Sequence, residues 1–128
     1  MWVLETTDEF GRRHKRLEKD SPRELKAVLD NLDTYFQALL AGAQPLARAF
    51  GFMHTEPQGV VAIDQKGGGK SLAQTRLYVY PDQKKKVLYV ITLGSKRRQS
   101  ADSKYCREFV NSMREEEGEN DEQAGPTH

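Results

Sequence analysis

The feature that most constrains this chain is a change of hydrophobic period along it. Between residues 22 and 41 the apolar positions are Leu25, Val28, Leu29, Leu32, Tyr35, Phe36, Leu39 and Leu40, which is helical spacing. Ser21 stands at the N-cap of this run, Pro22 at its first turn and Glu24 three residues after the cap. Gly42 provides a stop. From Gly59 the pattern shortens to strands: Val60–Ile63, Leu72–Tyr80 and Val87–Leu93, with Pro81 and Asp82 opening the turn between the last two. The third of these is apolar on both faces, which places it centrally.

Around that frame, Trp2-Val3-Leu4 reads as a short strand. Thr6 and Glu9 fit a capping box, which predicts a helix from Thr7 to Lys19. Residues 43–59 are punctuated by Pro45, Gly51, Pro57 and Gly59, with a short helical turn expected at Leu46–Phe50 and with His54 and Glu56 in loop. A last helix is expected from Asp102 to Glu116, with Tyr105, Cys106, Phe109, Val110 and Met113 inward. The expected class is therefore α+β: a small, mostly antiparallel sheet with two N-terminal helices packed on one face, and a C-terminal helix.

Charge refines the domain boundary. Residues 115–128 hold six carboxylates and no Lys or Arg. The remaining 1–114 carries twenty Lys and Arg against thirteen carboxylates, or +7. A basic domain with an acidic, disordered tail is expected, and basic domains favour phosphate-bearing partners. No apolar run is long enough for a membrane span, and the acidic start does not read as a signal peptide. The single Cys106 has no partner for a disulfide or a zinc site. A cytoplasmic location is expected, with no metal or other cofactor.

Lys66-Gly67-Gly68-Gly69-Lys70-Ser71 resembles a phosphate-binding loop only superficially. The motif needs glycine at position 64, which is Asp64, and a helix after it, where a strand is expected. Lys66 and Lys70 remain candidates to touch phosphate from a flexible connection.

The segment Thr75–Gln99, TRLYVYPDQKKKVLYVITLGSKRRQ, carries the functional signal. Strand alternation sends Leu77 and Val79 to one face and Arg76, Tyr78 and Tyr80 to the other. Antiparallel pairing then brings Arg76 near the cluster Lys96, Arg97, Arg98 and Gln99. Cations beside aromatic rings on an open sheet face suit single-stranded RNA. The plainer alternative pairs Arg76 with a carboxylate and leaves the cluster, like Lys84–Lys86, as solvated surface.

Over Met1–Met113 the order of elements and this segment resemble the RelE/ParE superfamily of type II toxin–antitoxin systems. The resemblance implies a metal-independent, ribosome-dependent mRNA endoribonuclease, neutralised by a cognate antitoxin. By resemblance Arg76 and either Arg97 or Arg98 would stabilise phosphate charge, and Tyr105 matches a tyrosine near the last helix. RelE carries a lysine general base on the strand before the arginine strand. Here that strand is Val60-Val61-Ala62-Ile63-Asp64, so Lys66, Lys70 or Asp64 would have to substitute. The alternatives are a non-catalytic binder of gyrase or RNA with the same fold, and a regulatory protein-interaction module.

Overall fold

The computed structural model describes residues 1–45, 50–65 and 73–124, with the side chains of 118–124 excepted. Lys66, Lys70 and most of the expected turn at Leu46–Phe50 lie outside the described residues. Three helices and a five-stranded sheet form an α+β fold. In chain order they are β1 (Val3–Thr6), α1 (Asp8–Asp20), α2 (Pro22–Leu40), β2 (Met53–Thr55), β3 (Val61–Asp64), β4 (Thr75–Asp82), β5 (Val87–Ser95) and α3 (Gln99–Ala124). The strands lie in the order β1-β5-β4-β3-β2, antiparallel except for β1 against β5.

Local chemistry explains most boundaries. Thr7, not Thr6, caps α1, its hydroxyl accepting from the Phe10 amide at 3.0 Å, because Thr6 is still in β1. Ser21 alone joins the first two helices. It ends α1 and precedes α2, with Pro22 in the first turn and no side-chain capping bond. Gly42 follows α2 with φ 101°, a conformation that suits glycine. Pro81 and Asp82, expected in a turn, belong to β4; the Asp82 carboxylate instead accepts from the Lys85 amide at 3.1 Å and shapes the turn beyond. The strand β2 occupies a stretch that the sequence pattern assigns to loop.

β5 runs between β1 and β4, as its two apolar faces imply. A bulge shifts its register: Tyr78 pairs Thr92, but Val79 pairs Val90. Leu88, Val90 and Leu93 therefore share one face, while Ile91 turns to the other. On the first face α1 and α2 pack Phe10, Leu25, Val28, Leu32 and Leu39 against β3, β4 and β5. Full burial of such a side chain contributes about 1.5–3 kcal/mol. On the second face α3 packs Cys106 and Val110 against Val60, Ala62, Tyr78 and Ile91.

That second layer corrects an expectation. The face carrying Arg76, Tyr78 and Tyr80 is not open: Tyr78 is 1% exposed beneath α3. The apolar side of α3 is the physical reason, since it has to be buried against something.

Candidate functional site

At the edge of the α3 layer the sheet presents a row of register partners, Asp64 on β3, Arg76 on β4 and Gly94 on β5. Arg76 Nε donates to Asp64 Oδ1 at 3.1 Å. The other carboxylate oxygen, Oδ2, lies 2.5 Å from His54 Nε2. Asp64 is buried, with its backbone held by Asn31 Nδ2 from α2 at 2.7 Å and by the Phe52 carbonyl at 2.9 Å. One buried carboxylate thus orients a guanidinium and an imidazole together. With Nε2 bound to the carboxylate, Nδ1 is the nitrogen left to take up a proton. The His54 side chain is 35% exposed, so solvent reaches it.

Sequence reasoning offers Asp64 as a substitute base, and puts His54 and Glu56 in a loop. Here both Asp64 oxygens are engaged, which makes it a positioning group. His54 faces it because β2 pairs with β3, His54 opposite Ala62. Three residues between Gly51 and Pro57 carry no periodicity from which that pairing could be read.

The basic segment after β5 divides. Lys96–Arg98 form a 3₁₀ turn and α3 begins at Gln99. Lys96 and Gln99 line one cleft, with Ser100, Ser103 and Arg107. This cleft adjoins the Asp64 row. The Lys96 amide bonds the Gln74 carbonyl at 3.2 Å, two residues before Arg76. Ser103 Oγ donates to Glu56 at 3.1 Å, two residues after His54. Arg97 and Arg98 line a different cleft on the other side of α3, with Arg13 and Arg16 of α1. The expected single cluster of Arg76 with positions 96–98 is therefore two groups, because the tight turn aims successive side chains apart.

Between the clefts, Gly94 has no room for a side chain. A Cβ there would stand 2.5 Å from Asp102 Oδ2 and 3.0 Å from an Arg13 terminal nitrogen. Asp102 is buried, Arg98 Nε approaches its Oδ1 at 3.6 Å, and Oδ2 has no hydrogen-bond partner. Burial pushes the Asp102 carboxyl above its ordinary value, against the opposing pull of Arg98 and Arg13. Burial, then the like charge of Arg98, lowers the Arg13 guanidinium. Arg13 is anchored besides: its Nε donates to the Leu93 carbonyl at 3.1 Å, on the stretch of β5 beyond its pairing with β1.

The tyrosines do not form a stacking platform. Burial drives Tyr78 up to about 12, and Tyr80 stacks on Tyr89 with ring centroids 6.4 Å apart. Tyr105 is 37% exposed rather than inward. Burial raises its phenol, and the next influences are Glu9 and Arg12 of α1. It thus belongs to the α1 side of α3, away from Ser103 and Glu56.

Among the described residues no three His, Cys, Asp or Glu side chains group to hold a metal ion. No helix there is long and apolar enough to cross a membrane. Compared with known proteins, the sequence matches no family model and no curated protein resembles it significantly.

Proposed function

We propose that this chain is a RelE-like toxin, a cytoplasmic endoribonuclease that cleaves mRNA on the ribosome without a metal and is held in check by a cognate antitoxin. The observation that carries the catalytic part is the His54–Asp64–Arg76 constellation. His54 Nδ1 removes the proton of the 2′-hydroxyl, whose oxygen attacks the adjacent phosphorus. The P–O5′ bond breaks, leaving a 2′,3′-cyclic phosphate and a 5′-hydroxyl after that oxygen gains a proton from solvent. Arg76 bonds Asp64 through Nε; in the proposed reaction its outer nitrogens stabilise the phosphate charge that builds in the transition state. Lys96 and Arg107, from the adjoining cleft, add positive charge along the strand. His54 fills the general-base role for which the strand before Arg76 offers no lysine.

The same ion pair also favours a second reading, a non-catalytic binder in which Asp64 neutralises Arg76 permanently. Induced expression separates the two. The toxin reading expects arrested translation with mapped mRNA cuts, and recovery of growth in His54→Ala and Arg76→Ala variants that fold normally. Arrest without cuts supports the binder.

A further inference from the structure

The cleft on the α1 side of α3 is not used by that chemistry, yet four arginines line it. It has a volume of about 300 Å³ and is lined by Arg13, Arg16, Arg97, Arg98, Ser95 and Asp20, among others. Four guanidinium groups line it with one carboxylate, Asp20, which compensates little, while buried Asp102 behind them offsets part of the charge of Arg98 and Arg13. Asp20 lies 3.8 Å from Arg16 with both side chains more than half exposed, a geometry worth little in water.

The inner arginines are fixed in advance. Arg13 is tied to the Leu93 carbonyl, and Arg98 is held over Gly94 by buried Asp102. Asp102 pairs with Arg98 and also attracts Arg13, so these two guanidinium groups share a single buried carboxylate. Convergent guanidinium groups repel one another until an anion bridges them. Their planar donor forks match phosphate oxygens. The outer pair, Arg16 and Arg97, are exposed and extend the positive surface outward.

We infer that this cleft is a second RNA-backbone site, which holds phosphodiester groups of the RNA on the far side of the α3 N-terminus from His54. It rests on the RNA-directed reading above. An RNA strand passing the Lys96–Arg98 turn meets Lys96 on one side and Arg97 and Arg98 on the other. The cleft therefore supplies affinity and register, not bond breaking.

The test uses the full-length protein and a single-stranded 2′-O-methyl oligoribonucleotide, which lacks the attacking hydroxyl, so binding is read without cleavage. In Arg16→Ala/Arg97→Ala the affinity falls about tenfold at ~0.1 M salt. The slope of log affinity against log salt falls in magnitude by roughly 1.4, because two fewer phosphates are neutralised. The control Lys26→Ala/Lys84→Ala removes as much charge, from α2 and the β4–β5 turn, and leaves both nearly unchanged. Equal loss in the control, or no loss in the Arg16/Arg97 variant, overturns the site. Inorganic phosphate that displaces the oligonucleotide at equal phosphate concentration assigns the cleft to a small anion and overturns it too. Cleavage by the wild type, and its loss in His54→Ala, is a separate readout, so the two readings fail separately.

Discussion

Asp64 and Arg76 are register partners on β3 and β4, and their side chains meet at 3.1 Å with the carboxylate buried. His54 occupies the second oxygen of the same carboxylate. Asp64→Asn leaves Arg76 without its counter-charge and His54 without its orienting partner. Removing one partner of a buried pair costs about 3 kcal/mol. A drop of that size in urea-unfolding free energy is expected, together with loss of activity. A stability within ~0.5 kcal/mol of wild type would show the pair to be solvated surface.

Gly94→Ala tests the crowding between the clefts. The new methyl group meets Asp102 Oδ2 and Arg13 at distances that neither can keep. Overpacking of this kind costs about 1–3 kcal/mol. Thermal unfolding of Gly94→Ala beside Gly51→Ala, where the added methyl group meets nothing within 4 Å, isolates the effect.

Asp102 makes stability depend on pH in a direction opposite to a carboxylate whose pKa is lowered, because burial outweighs its pairing with Arg98. Its carboxyl is raised above 3.8, chiefly by burial. Across the range from the folded value down to 3.8 the folded protein holds this proton while the unfolded chain does not, so the residue adds stability as the pH falls through that window. Relative to Asp102→Asn, the wild type becomes more stable toward the acid end. Urea midpoints of both proteins between about pH 4 and 7 check the sign.

Cys106 reports on whether α3 stays docked. Burial against the sheet pushes its thiol up to about 12, and the side chain is 1% exposed. Thiolate is the reactive form, so alkylation of the native protein is expected to be limited by opening of α3. Rapid labelling without denaturant would mean that α3 leaves the sheet readily, exposing Tyr78.

The frame is legible in the sequence where periodicity is long. The α2 stripe from Leu25 to Leu39 and the two-faced apolar run of β5 lead directly to the α+β class. Three features are not legible there. The strand β2 is too short for a pattern, so His54 is placed only by the pairing with β3. The apolar side of α3 announces burial, but Cys106 and Val110 do not say which face of the sheet receives them. The run from Lys96 to Arg98 looks like one patch in a linear sequence. A 3₁₀ turn followed at once by a helix sends its side chains to two clefts instead.

In the proposed reaction His54, oriented by Asp64, performs proton transfer beside Arg76. Primer-extension mapping of an mRNA on translating ribosomes, with wild type, His54→Ala and Arg76→Ala, tests it most directly. Discrete wild-type cuts with 2′,3′-cyclic phosphate ends are expected. Rates are expected to fall by roughly 10²–10⁴-fold in His54→Ala and 10²–10³-fold in Arg76→Ala, both variants remaining folded. Cuts of undiminished rate in His54→Ala, or a wild type that leaves the message intact, would contradict it.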